Sequence, residues 1–340
     1  MDQQQRYKSW TAIVALLLVL LVVSSIAGLC IGETCFTPGK ALRLLFSSTE
    51  DIQTQIMQQL RLPRVVLGLI VGGALSLSGV ILQGIFRNPL VEPYTLGISG
   101  GASVGVSLAI VFSLQAAWGG FILPVAGFSG ALATILLVYG FGVRRGSIQI
   151  QNLLLTGVMI SFISSSLMML LMAITKSENL HGIIFWIMGS LNETNTGLIR
   201  FVAGVSIVAL LLSYRYAPAL NALRLGSEPA AQLGINTGRT IKVLFLLSSL
   251  LTGICVSIVG VIGFVGLIIP QLMRFWVGSD YRILLLSSFL GGGIFLILSD
   301  IVARTIILPL ELPIGVITGI IGGILFIAIM GTAKSGRRLG

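Results

Sequence analysis

The stretch Arg61 to Gly105, RLPRVVLGLIVGGALSLSGVILQGIFRNPLVEPYTLGISGGASVG, decides how the chain is read. It opens with two arginines around a proline, then runs from Val65 to Phe86, 22 residues, without a charge. An apolar helix of ~20 residues crosses the ~30 Å hydrocarbon core of a bilayer. The small residues inside it (Gly68, Gly72, Gly73, Ser76, Ser78, Gly79) are the kind that let helix backbones approach closely in lipid. Arg87-Asn88-Pro89 breaks the run, and a glycine- and serine-rich segment, Gly97 to Gly105, leads into the next one.

The rest of the chain repeats that pattern. Of 340 residues, 55% are hydrophobic and 9% charged, and the mean hydropathy is +1.03. A soluble domain carries about 25% charged residues, so the composition is that of an integral membrane protein. Apolar runs of helical length, without short alternating segments, argue for a helix bundle over a β-barrel. The net charge of +10 does not imply nucleic acid, because lysines and arginines stand in ones and twos at run edges and form no basic face. Cys30, Cys35 and Cys255 show no metal-ligand spacing; Cys30 and Cys35 could pair, but free thiols are the simpler expectation. Arg6 and Lys8 precede an apolar run from Trp10 to Ile31, too long for a signal-peptide core, so an uncleaved first helix is expected.

Ten membrane spans are expected, at about 10–31, 63–84, 96–113, 121–142, 152–173, 197–214, 243–262, 263–273, 283–303 and 313–331. Gly32 to Leu60 reads as a polar outer segment with an amphipathic piece from Ile52 to Leu60. Ile183 to Leu191 reads as an interface-lying piece after a loop that contains His181. Val243 to Met273 is 31 residues without a charge, ~46 Å as one helix. Gly260, Gly263, Gly266 and Pro270 therefore suggest a full span, a glycine break near the outer surface and a short returning span. With both termini cytoplasmic, inner segments hold 14 of the 21 basic residues, as the positive-inside rule requires. Spans two to five and seven to ten each begin glycine-rich and contain a proline-interrupted turn (Asn88-Pro89; Pro270). Repeats offset by five spans would be inverted.

Few residues carry chemistry. Leu225 to Gly234, LGSEPAAQLG, reads as a short helix in the inner stretch between spans six and seven, with Ser227 as its cap and Gly234 as its end. No GxxxxGK[ST] loop exists, and no nucleophile–base set or metal cluster is visible. Arginines near a membrane boundary commonly snorkel to the headgroups, yet Arg61, Arg64 and Arg304 fall on the outer side, against the charge bias. Asp300, Arg304 and Glu311 sit among apolar residues, where a charge costs ~2.5–3.5 kcal/mol even on insertion scales. Asp300 and Arg304, four apart on one helix face, are expected to neutralise each other. A proton relay through Asp300 or Glu311 would instead mark a stand-alone, ion-coupled secondary transporter. Serines four apart, as at Ser161 and Ser165, more often only help helices pack.

The order of these pieces resembles the permease subunits of ABC importers of the FecCD type, the branch for iron chelates, haem and cobalamin. The resemblance rests on RLPR, GxxLxxSGxxxQxxxxNPLxxP and LGxxxGAxxG, on LGxxxAxxLG at 225–234, and on GFVGLIIPQLMR (263–274), SDIVARTIILPLELPIG (299–315) and VITGIIGGILFIAI (316–329). It covers about residues 10 to 331. It implies an all-α polytopic bundle that pairs with a second copy or a paralogue, the pathway lying between them. It also implies two separate ATP-binding cassette subunits carrying ATP and magnesium, and no cofactor in this chain. Gly226, Ser227, Glu228, Pro229, Ala230, Ala231, Gln232, Leu233 and Gly234 match the coupling helix that docks into the ATPase. Arg61, Arg64 and Arg304 match arginines that pair with glutamates of an extracytoplasmic binding protein. Gln149, Ile150, Gln151, Ser161, Ser164 and Ser165 match the inner gate and pathway lining. Departures are Ser227, where the family often has an acidic residue, and Gln271, where it usually has histidine. The implied cargo is a ferric siderophore, haem or cobalamin, with a molybdate-like oxyanion as the alternative. The implied setting is a bacterial or archaeal cell membrane, the inner one in a two-membrane envelope.

Overall fold

The computed structural model describes residues 3–49, 51–144, 147–148 and 150–336, and is helical almost throughout. The first half holds α1 (Gln3–Cys30), α2 (Pro38–Leu45), α3 (Ile52–Gln55), α4 (Leu62–Phe86), α5 (Ile98–Val111), α6 (Leu114–Trp118), α7 (Ile122–Gly142) and α8 (Ile150–Ile174). The second half holds α9 (Ser177–Met188), α10 (Thr196–Arg215), α11 (Ala217–Leu223), α12 (Ser227–Gln232), α13 (Thr237–Val259), α14 (Val265–Val277), α15 (Tyr281–Thr305) and α16 (Ile314–Gly336). Between α7 and α8 a two-residue hairpin pairs Val143 with Ile148, antiparallel.

Seven helical stretches are long and apolar enough to cross a bilayer; α5, α14 and the apolar part of α16 are shorter. Together they make a polytopic membrane bundle. The stretch Ile52–Phe86 is one continuous helix, because a π-helical turn, Ile56–Arg61, joins α3 to α4. The amphipathic piece at 52–60 is therefore the outer extension of the second span and not a separate surface element. Similarly, the piece read from the sequence as interface-lying at 183–191 is the end of α9 followed by a turn that buries Leu191.

The bundle is built around α4. Its apolar window is 89% buried within the protein, against 22–28% for α1, α7, α8 and α10, and it packs on α15, α13, α14 and α10. Lipid tails are as apolar as leucine, so helices in a membrane gain little from hydrophobic burial and rely on close packing. The glycines supply it. A Cβ at Gly72 would run into the carbonyl of Gly292, and one at Gly79 into the carbonyl of Gly266.

With ~1.5 Å per residue, α5 and α14 reach only ~20 Å each. Irregular chain completes both crossings: a 3₁₀ turn, Pro93–Leu96, before α5, and residues 260–264 before α14. These two segments meet. The Tyr94 hydroxyl donates to the Ile262 carbonyl at 2.7 Å and accepts from the Ile262 N–H at 3.1 Å. The glycine break begins at Gly260 (φ +72°), after the full length of α13, where the Ser190 N–H donates to the Val259 carbonyl at 2.8 Å. Non-helical backbone is tolerated at membrane depth only where protein supplies its hydrogen bonds.

The packing repeats with an offset of five spans. α4 lies on α15 and α14 as α13 lies on α7 and α5. Likewise α5 contacts α7 and α8 as α14 contacts α15 and α16, and the pair α7–α8 corresponds to α15–α16. An odd offset reverses the direction of every helix, so the halves are inverted repeats.

Gly72→Ala should lower the unfolding midpoint in detergent by several degrees, since forcing a methyl against backbone costs ~1–3 kcal/mol. Gly140→Ala, where an added Cβ meets nothing within 4 Å, should leave the midpoint unchanged. Equal midpoints for both variants would remove the close α4–α15 contact from the account.

Candidate functional site

Of the three arginines on the face opposite α12, two serve the end of α1 and the third does not. Arg61 is 5% exposed. Its Nη1 donates to the Leu29 carbonyl at 2.7 Å, its Nη2 donates to the Thr34 carbonyl and to Thr34 Oγ1 at 3.1 Å, and it lies over the Phe36 ring at 4.7 Å. Arg304 is 7% exposed, with Nε 2.9 Å from Asp300 Oδ2, and its Nη2 donates to the Gly28 carbonyl at 3.1 Å. Gly28 and Leu29 belong to the last turn of α1, whose carbonyls lack helical donors and carry the negative end of the helix dipole. Two cations therefore cap one helix end. The sequence reading takes Arg61 and Arg304 as outward-facing docking charges; the structure buries both, because α1 ends beside them and needs donors.

Arg64 differs. Its Nη1 and Nη2 donate to Glu311 Oε1 and Oε2 at 2.9 and 2.6 Å, a two-pronged pair at a rim where Glu311 is 49% exposed. These bonds from Arg64 hold the Glu311 carboxyl below its ordinary value. Arg64, Asp300, Arg304 and Glu311 line a cavity of about 540 Å³ whose other wall is α9 and the turn after it, with Phe185, Trp186 and Asn192. Sequence reasoning missed the Arg64–Glu311 pair, which joins residues far apart in the chain.

On the opposite face, α12 is capped by the backbone of Gly226 at φ +123°, with no side-chain cap. Ser227, expected as the cap, is instead the first helical residue. Gly234 (φ +81°) ends the turn after the helix. Ala230 is fully buried and anchors α12, while Leu225 and Leu233 are 68% and 65% exposed on either side of it. Two exposed leucines thus flank α12 on an otherwise polar connector. The base below is fixed: Asn221 of α11 donates to Asp280 Oδ1 at 2.8 Å and accepts from the Tyr281 N–H at 3.0 Å.

The expected gate and lining residues do not share one face. Gln149 lies outside the described residues; Ile150 and Gln151 open α8, the latter exposed. Ser161 donates to the Gly157 carbonyl at 3.0 Å, and Ser164 is buried against Gly100 of α5. Only Ser165 of the three is exposed. Ser164 turns inward because a residue three on from Ser161 follows the seam with α5, whose glycines admit it.

Against this geometry, the family model described as the FecCD transport family matches residues 17–332. The hemin transport system permease protein of Yersinia pestis is 37% identical over 314 residues, 92% of each chain. The vitamin B12 import system permease protein of Salmonella arizonae is 34% identical over 329 residues, 97% of this chain and 96% of that one. A solved structure described as an inward-facing conformation of a metal-chelate type ABC transporter superposes with a TM-score of 0.84 at 33% identity. It covers 95% of this chain and 99% of its own.

Two outcomes follow from the charge cluster. Arg304→Met leaves Asp300 buried without its partner and should cost ~3–5 kcal/mol, with the Asp300→Leu/Arg304→Met double variant recovering most of it; thermal unfolding of both variants checks this. Because the folded-state pKa of Glu311 is depressed, the contribution of its pair is complete above the ordinary glutamate value of ~4.3 and is lost as pH falls through the lower folded value. The unfolding midpoint of the native chain should therefore drop more steeply than that of Glu311→Gln below about pH 4.3; parallel curves would show that the pair contributes nothing.

Proposed function

The chain belongs to the FecCD transport family, and from that membership we propose that it is the membrane half of an ATP-driven importer for a metal chelate. The cargo class is haem or a cobalamin-type macrocycle, after the named relatives, with ferric siderophores in the same chelate class. The observation that carries the reading is the near-complete superposition on a metal-chelate type ABC transporter.

In this reading two copies, or this chain and a paralogue, enclose a pathway along the exposed face of α8 that carries Ser165. The turn around Gln149, Ile150 and Gln151 closes its inner end. A binding protein docks on the outer rim at Arg64 and Glu311, while Arg61 and Arg304 hold that rim in place by capping α1. Guanidinium–carboxylate pairing across such a rim sets register and docking rate more than affinity. One ATPase subunit seats on the α12 of each copy and covers Leu225 and Leu233. The Arg304–Asp300 contact at 2.9 Å ties up the carboxylate that a proton-coupled mechanism would need.

Purification of the tagged chain from its native membrane should bring down a stoichiometric P-loop protein identified by mass spectrometry. Leu233→Asp should lower retention of that protein by about tenfold or more, as loss of a buried apolar anchor does, with the unfolding midpoint unchanged. Proteoliposomes holding the complex should take up haem or cobalamin only with ATP. Isolation of the chain alone, together with uptake driven by a proton gradient, would sink this proposal.

A further inference from the structure

We propose that a recess formed by Arg87, Arg224 and Arg274, beside α12, receives a carboxylate side chain of the docked ATPase. This rests on the reading of α12 as the ATPase seat and adds to it a second, charged contact.

The recess measures about 250 Å³ and opens between the end of α4, the outward face of α14 and the turn at 278–280. Three of its ten lining residues are arginines and none is acidic. Arg274 and Arg224 each bond to a neutral group. The Arg274 Nη1 donates to Gln83 Oε1 at 2.6 Å, and the Arg224 Nη1 donates to the Ser279 carbonyl at 2.8 Å. Asp280 does not line the recess; its Oδ1 accepts from Asn221 and from the Arg282 N–H. The ion pairs Arg64–Glu311 and Arg304–Asp300 lie on the opposite face.

Three guanidinium groups facing one small recess make it attractive to an anion. Guanidinium forks match carboxylate oxygens two at a time, which makes arginine the residue for this contact. The position selects the source of the anion. Arg87, in the left-handed conformation at the end of α4 (φ +50°), has its Nη1 against Gly226 at the cap of α12. A subunit seated on α12 therefore reaches the recess directly. A lipid headgroup would bring acyl chains, and no leucine, isoleucine, valine or phenylalanine lines the recess to receive them.

The test uses the tagged chain purified with its P-loop subunit. Arg87→Glu and Arg224→Glu alter exposed side chains, and each should weaken subunit binding by about tenfold or more, the usual effect of breaking a desolvated interfacial charge pair. Arg87→Gln, which removes charge without reversing it, should weaken binding less, and a Glu→Lys or Asp→Lys change in the subunit should restore affinity to Arg87→Glu. The native contact should also weaken with rising salt. Wild-type affinity in both reversal variants, with Leu233→Asp still losing the subunit, overturns the recess contact and leaves the α12 reading standing. Wild-type affinity in all three overturns both. Loss of a tightly bound anionic phospholipid from the reversal variants in native mass spectra, with subunit affinity unchanged, would make the occupant a headgroup and overturn the proposal.

Discussion

A backbone carbonyl inside a bilayer has no water to turn to, and one such carbonyl organises the centre of this protein. Pro270 lacks the N–H that the Gly266 carbonyl would accept four residues back. Gln83 of α4 takes that place, its Nε2 donating to the Gly266 and Leu267 carbonyls at 3.2 Å each. Arg274 in turn holds the Gln83 oxygen. The same logic explains Tyr94, whose hydroxyl serves both the N–H and the carbonyl of Ile262 where α13 has ended and α14 has not begun. Interrupted helices are possible in hydrocarbon only because neighbouring helices carry these polar side chains at the right height.

For Gln83 to reach, α4 and α14 must lie almost in backbone contact, and that is the work of Gly79. The small residues of α4 and its need for polar partners are therefore one design. A larger residue at 79 would hold the helices apart and leave the Gly266 carbonyl unsatisfied as well as the packing loose. Each half contributes one short helix preceded by irregular chain, and Gln83 and Tyr94 of the first half serve the open backbone of the second.

Much of this was legible because the signals are local. Runs of apolar residues between charges mark the helices, and LGSEPAAQLG marks the short inner helix by its own glycines and proline. The Asp300–Arg304 pair was legible for the same reason, being four residues apart on one helix. What escaped reading depends on contacts between distant segments. Arg61 looks like a surface charge until the end of α1 is seen to lie against it, and its partners Leu29 and Thr34 are separated from it by the whole outer segment. Arg64 and Glu311 meet only because the ends of α4 and α15 are side by side. Ser164 and Ser165 are neighbours in sequence, and only the position of α5 decides which of them is covered. Likewise, nothing in Ile258 to Phe264, IVGVIGF, says that Tyr94 will supply the hydrogen bonds of its irregular backbone.

The two faces are linked by a stiff element. α4 and α15 run side by side and touch backbone to backbone at Gly72 and Gly292. Close-packed interfaces of this kind do not deform continuously, so sliding one helix along the other would have to break the contact outright. One end of the pair carries Arg64, Asp300 and Arg304; the other carries Arg87 and the Asp280–Tyr281 turn that Asn221 fastens to α11 and hence to α12. The outer charge cluster and the turn beneath α12 are therefore the two ends of one close-packed helix pair. Helix α8 is the contrast: it packs on α5 and α7, yet only 22% of its apolar window is buried within the chain, which leaves most of its surface to lipid or to another chain.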